Sequence, residues 1–532
     1  MQARVETGRL ESHTTQWNAT GQRTLISLSF LISTFVSVAI LLLFMVQSER
    51  LHHWFVIPAL LCGILIGIDA VDWFRNRYDK FDPFGIIGLL GYHFFFLAPL
   101  LHVYWGYYPF FRAPLSVDPR HWLGMMALLN IGGVLIYRLT RQIRWEGNRA
   151  RRSIWQLSPT RFAIFLVLAL IVSALLQTYI YAEKGGISGF IRAYEEERAR
   201  AFEGKGWFFT ISESFPILAM MGFAVIARRH AFLRTWGVLA IVAVIFFALQ
   251  LYFGGLRGSR SSTIFALFWA TGIVHFWVRR IPRPVIYMGI AFLLTYMYVY
   301  RFYKHSGSEA FQSLATEEGQ RRLERYTGNA MMYTLLVDLA RADMQAFLLY
   351  RLNRPQCDYD YAFGRTYLAA LVSVVPRAIW PDKPPNKAME GTQLQFGKYR
   401  YRGMKTASAC VYGLGGEAML NFGYLAVPFA YVVLGLVTGY TRRWILSLHP
   451  DDMRLLLCPF MINFSFNFLV GDLDNVMFFV FKNGLMPSLV LLAGTRRRWL
   501  TPAPSAEPAS TPTNRWIRDL SSPPKHTPVP EG

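Results

Sequence analysis

The chain is poor in charge and in cysteine. Charged residues make up 17% of its 532 positions, against ~25% in an ordinary soluble domain, while 53% of it is hydrophobic and 16% aromatic. So large an apolar share excludes an ordinary water-soluble fold. The four cysteines, Cys62, Cys357, Cys410 and Cys458, show no CxxC or Cys/His ligand spacing, so no metal or redox site is implied. Three enzyme signatures are missing: the GxxxxGK phosphate loop, the HExxH helix and the GxSxG elbow. Their absence argues against ATP-driven transport by this chain alone. Acids are scarcer than bases, 33 against 55, leaving a formal charge of +22. The arginines fall in short clusters between apolar runs, a pattern that marks membrane topology and not a nucleic-acid partner. No small-residue cleavage site follows the polar lead with Glu6 and Glu11, so the first apolar run is expected to stay in place.

What is present is a succession of runs near the ~20 residues that cross a bilayer core. They lie at 24–46, 54–71, 84–105, 122–137, 162–181, 207–227, 235–253, 262–278, 285–302, 424–440, 455–470 and 476–494. The sequence thus predicts an all-α, polytopic membrane protein of about twelve spans. Arginine and lysine gather in alternate connections: Arg75, Arg77 and Lys80; seven arginines from Arg138 to Arg161; Arg228, Arg229 and Arg234; Arg279, Arg280 and Arg283; Arg442, Arg443 and Arg454; Arg496 to Arg498. Cytoplasmic connections retain positive charge, so that side and both termini are expected in the cytoplasm. The chain divides into a tail at 1–23, spans at 24–302, a large outward (periplasmic) loop at 303–423, spans at 424–494, and a Pro/Ser/Thr-rich tail at 495–532 expected to be disordered. Within the loop, residues 332–352 read as one amphipathic helix, and the apolar run 367–375 is too short to span.

Candidate chemistry lies at the outward side. GLRGSRSS places Arg257 and Arg260 in a glycine turn between two spans, and a guanidinium grips phosphate oxygens in pairs. An ordinary interfacial arginine, reaching to lipid headgroups, is the alternative for either residue. PRAIWPDKP offers Arg377 and Lys383 on a proline-stiffened turn, with Trp380 as a plane that anchors at the interface or stacks on a sugar. Glu417, in GGEAMLNFG, is the best placed carboxylate for taking a proton; its alternative role is to tie the loop to the bundle. Glu213 and Lys482 lie inside spans, where ionisable groups are costly and face cavities or each other. Asp69 reads as structural. The triplets Asp358–Asp360 and Asp472–Asp474 could hold a divalent cation or be ordinary loop acids.

The order YAEKGGI (Tyr181 to Ile187), RGSR, VDLARAD, PRAIWPDKP and GGEAMLNFG before a late span resembles the Wzy-type O-antigen and exopolysaccharide repeat-unit polymerases over roughly Gly85 to Gly439. That resemblance implies a lipid-linked-sugar glycosyltransferase (GT-C-like) fold in the bacterial inner membrane. It also implies transfer of a glycan from undecaprenyl diphosphate to a lipid-linked repeat unit, with a chain-length regulator and a flippase as partners. The acidic pair of metal-dependent relatives is missing from the first outer connection, which has only Glu49, so no metal or other cofactor is expected. In this reading Arg257, Arg260 and Arg377 clamp the diphosphate, Lys383 and Lys482 assist, Glu417 is the base, and Glu213 stands in reserve. An O-antigen ligase and a non-enzymatic lipid-linked oligosaccharide flippase remain as alternatives.

Overall fold

Several apolar runs begin on residues that start helices well. Pro83, Pro119 and Pro159 occupy first turns, where the missing N–H costs nothing, and the side chains of Ser27, Asp82 and Asp118 accept the first free N–H groups. A computed structural model describes residues 27–111, 117–143, 153–197, 204–257, 260–306, 314–327, 329–373, 375, 379–397 and 410–499. In chain order its main elements are α1 (Leu28–Gln47), α2 (Val56–Phe74), α3 (Pro83–Trp105), α4 (Pro119–Thr140), β1 (Ser153–Leu157), α5 (Pro159–Glu183), α6 (Gly206–Ala227), α7 (Trp236–Phe253), α8 (Arg260–Val278) and α9 (Arg283–Tyr303). There follow the shorter α10 (Ala342–Leu352), α11 (Arg365–Leu371), α12 (Lys387–Phe396) and α13 (Gly413–Phe422), then α14 (Tyr424–Ser447), α15 (Met453–Val470), α16 (Leu473–Gly494) and β2 (Thr495–Trp499). Twelve of these helices, α1 to α9 and α14 to α16, are long and apolar enough to cross a membrane. The chain is a multi-pass membrane protein, mostly helical, as its composition leads one to expect.

Small residues let the helices approach. A Cβ on Gly435 of α14 would meet Thr140 Oγ1 at 1.9 Å, one on Gly439 would meet the Arg141 carbonyl at 2.3 Å, and one on Gly133 of α4 would strike the Tyr431 ring. This small-xxx-small spacing locks α14 against α4. Near the same end, Asp69 of α2 receives Arg141 at 2.6 Å and Arg138 at 3.5 Å, and Asp82 receives Arg442 at 2.8 Å. Asp69 therefore has the structural role that its position suggests.

Contacts also sort the connections by side. The arginine-rich ones meet each other: Arg228 pairs with Asp451, Arg454 donates to the Ser153 carbonyl, and β1 pairs antiparallel with β2, Ser153 opposite Trp499 and Leu157 opposite Thr495. This two-stranded ribbon is an addition to the all-α expectation. At the opposite end lie Gln47 with Tyr104, Glu183 with Lys205, and the helices α10 to α13. The single helix expected at 332–352 is interrupted. Thr334–Asp338 form a wide π turn after the short helix Ala330–Tyr333, and α10 begins only at Ala342. The cause is local: His93 Nε2 of α3 donates to the Leu335 carbonyl at 2.9 Å, and Arg341 turns back onto the carbonyls of Val337, Asp338 and Ala340. Carbonyls drawn to side chains in this way are a recognised cause of broken helical register. The short run after Tyr367 falls on seven-residue α11, packed on the start of α16. The tails at 1–23 and 500–532 lie outside the described residues.

Candidate anion site at the mouth of the bundle

Three arginines converge on Asp338, the last residue of the π turn. Arg260, the first residue of α8, holds its carboxylate as a fork, Nη1 to Oδ2 at 2.6 Å and Nη2 to Oδ1 at 2.8 Å. Arg301, near the end of α9, donates from Nη2 to the same Oδ2. Its guanidinium lies 4.1 Å over the Tyr333 ring, and the residue is 3% exposed. Arg341 stands just beyond the turn with its Nη1 on backbone carbonyls. Nε and Nη1 of Arg301, and Nε of Arg341, are buried without a hydrogen-bond partner among the described residues. Burial draws the Arg341 pKa below its usual value. Two guanidinium groups thus share one carboxylate, a third lies on the carbonyl of the same residue, and donors are left over. Such a site is arranged to receive a further anion.

A carboxylate pair lies beside it. Glu417 of α13 accepts from Thr366 Oγ1 at 2.8 Å and from the backbone N of Leu473 at 2.6 Å. Its neighbour Asp472 accepts from the backbone N of Tyr412 at 2.9 Å and from Lys387. Burial first, and then the Asp472 charge, push the Glu417 pKa up to about 8. The link to the arginines runs through Gly413, which has the left-handed φ of +71°. A Cβ there would stand 3.5 Å from Arg341 Cγ, and the next residue back is the Tyr412 whose N–H holds Asp472. Glu417 consequently does tie the loop to the bundle, at the N-terminus of α16, and it does so next to the cation cluster.

Of the other residues singled out in the sequence, Glu213 and Lys482 pair with each other. Lys482 also donates to Ser262 Oγ at 2.7 Å, and both charged residues are buried. Lys383 donates to the Ser373 carbonyl at 3.3 Å, and Trp380 is 39% exposed on the loop. The side chain of Arg257 and the whole of Arg377 lie outside the described residues. The structure therefore brings together Arg260 with Asp338, Arg301 and Arg341, which the sequence reading did not single out. A signal existed for each. Arg301 ends a run of seventeen uncharged residues after Arg283, and Asp338 and Arg341 are the charged centre of VDLARAD. The chain matches no protein-family model, no curated protein and no solved structure.

Proposed function

We propose that this protein transfers a glycan from a polyprenyl diphosphate to a sugar hydroxyl at the periplasmic face of a bacterial inner membrane, as the Wzy-type repeat-unit polymerases do. One observation carries the reading: Arg260, Arg301 and Arg341 gather around Asp338 with guanidinium donors left over. A diphosphate leaving group develops negative charge as its bond to the sugar breaks. Fixed guanidinium donors in a partly dry site meet that charge without reorganising. The acceptor oxygen bonds to the anomeric carbon, the bond from that carbon to the diphosphate oxygen breaks with its electron pair leaving on the diphosphate, and the hydroxyl proton passes to Glu417. A carboxylate whose pKa is raised toward 8 is a stronger proton acceptor than an ordinary one. Arg257, Arg377 and Lys383 remain candidates for holding the donor, and Trp380 offers a plane for a sugar ring. Glu213 and Lys482, paired below Arg260 through Ser262, support α8 in this scheme.

Deletion of the gene followed by glycan gel analysis tests the proposal. Loss of the polymer ladder with single repeats retained is the expected result. Loss of all capped core would make the protein a ligase, and lipid-linked units held at the inner leaflet would make it a flippase.

A further inference from the structure

The charge balance of the cluster is uneven in a way that points to exchange. Arg260 and Arg301 bring two positive charges to the Asp338 carboxylate, Arg341 adds a third on the backbone carbonyl beside it, and Asp338 satisfies only part of what they can donate. Among the nearby acids Asp472 acts on Arg341, so the uneven balance is that of Arg260 and Arg301 against Asp338. Lys482 neutralises Glu213, and Lys387 is taken up by Asp472. Asp338 also touches its guanidinium partners as a phosphate would: two oxygens on the fork of Arg260, one of them shared with Arg301. It sits at the end of a π turn, a register with one residue too many for an α-helix. Returning that turn to α register would swing the Asp338 side chain by ~100° about the local axis, the rotation of one residue.

We infer that Asp338 is an exchangeable stand-in for substrate phosphate. It occupies one lobe of a two-lobed diphosphate site while the site is empty. The other lobe is made by Nε and Nη1 of Arg301 and Nε of Arg341, buried donors without a hydrogen-bond partner among the described residues. An arriving diphosphate displaces Asp338 from Arg260 and Arg301 and takes over their donors, so that the turn carrying Asp338 moves. This rests on the diphosphate reading above and adds to it a built-in competitor, which keeps the guanidinium groups ordered when empty and speeds departure of the spent diphosphate by returning.

Inorganic pyrophosphate is the probe, with the full chain in nanodiscs and binding followed by calorimetry. Wild-type protein should bind it, and Arg301→Gln should lose most of that binding. Asp338→Asn, with the competitor's charge removed, should bind about tenfold more tightly, one charge-assisted contact no longer having to be displaced. A folded Asp338→Asn protein that binds pyrophosphate no better than wild type overturns the exchange role and leaves the diphosphate site standing. Absence of binding by wild type overturns both. Should Asp338→Asn fail to fold, Leu339→Cys in an otherwise intact chain gives the second measurement. Pyrophosphate should change its maleimide labelling rate, over the parent background, severalfold as the turn moves. An unchanged rate at saturating pyrophosphate would refute the exchange.

Discussion

Arg301 shows why the type of cation matters in this cluster. Its guanidinium does two things at once, donating in its plane to Asp338 and lying with its face 4.1 Å over Tyr333. A lysine keeps the charge but has neither the plane nor the paired donors. Arg301→Lys should therefore cost about as much as Arg301→Gln, on the order of a hundredfold in transfer rate, as for loss of one donor to a developing anion. Ladder intensity with membrane abundance checked is the measurement, and a wild-type ladder from Arg301→Lys would reduce the residue to a charge anchor. Glu417 makes a prediction about pH. Its native pKa is raised from 4.5 to about 8, by burial first and Asp472 second. It must be ionised to accept a proton, so kcat/KM should rise with pH to a plateau above about 8, and Glu417→Gln should lose that limb. The stability consequence has the opposite direction. Between 4.5 and about 8 the native protein holds a proton that the unfolded chain has released, so this group's contribution to stability falls as pH rises through that window. Thermal inactivation of Glu417→Gln in detergent should accordingly depend less on pH than that of wild type.

At the scale of helices, the fold rests on close backbone approach at some glycines, while others meet open space. Gly435 has no room for a side chain, with Thr140 Oγ1 1.9 Å and the Tyr137 carbonyl 2.9 Å from an added Cβ, whereas Gly289 of α9 has nothing within 4 Å. Gly435→Leu must push α14 off α4 and should cost 1–3 kcal/mol or more, in line with overpacking elsewhere. Gly289→Leu should leave stability unchanged or slightly raised through helix propensity. Equal melting temperatures for the two variants would mean that the α4–α14 contact is loose. The helices themselves were legible in the sequence because each needs only its own apolar residues. The short apolar runs at 122–137 and 455–470 lie within helices Pro119–Thr140 and Met453–Val470. The break after Tyr333 was not legible. It depends on His93, more than two hundred residues earlier in the chain, drawing out the Leu335 carbonyl. The cation cluster was half legible for the same reason: Arg260 stood out by its glycine turn, while Arg301 looked like any arginine ending a span until α9 and the π turn were placed together.

On the scale of the whole molecule, the strand pair β1–β2 checks the number of crossings independently of hydropathy. The two strands are hydrogen-bonded, so they lie on one side, and eight of the apolar helices separate them along the chain, an even number as a shared side requires. Arg228 with Asp451, and Arg454 with the Ser153 carbonyl, impose the same parity on connections that are all rich in arginine. Lys387 with Asp472, and Phe110 N with Asp343, place the cluster of Asp338 and its arginines at the other end of the bundle. Since positive connections stay in the cytoplasm, reporter fusions at Arg144, Arg280 and Trp499 should report cytoplasm, and one at Glu324 should report periplasm. The geometry of the bundle makes this a joint prediction: contacts across the strand pair forbid Trp499 from disagreeing with Ser153. A periplasmic report at Arg280 and Trp499 with a cytoplasmic one at Glu324 would invert the molecule as a unit. The anion site would then face the cytoplasm, where nucleotide sugars supply glycosyl groups, and a polymerase acting on lipid-linked donors in the periplasm would be ruled out.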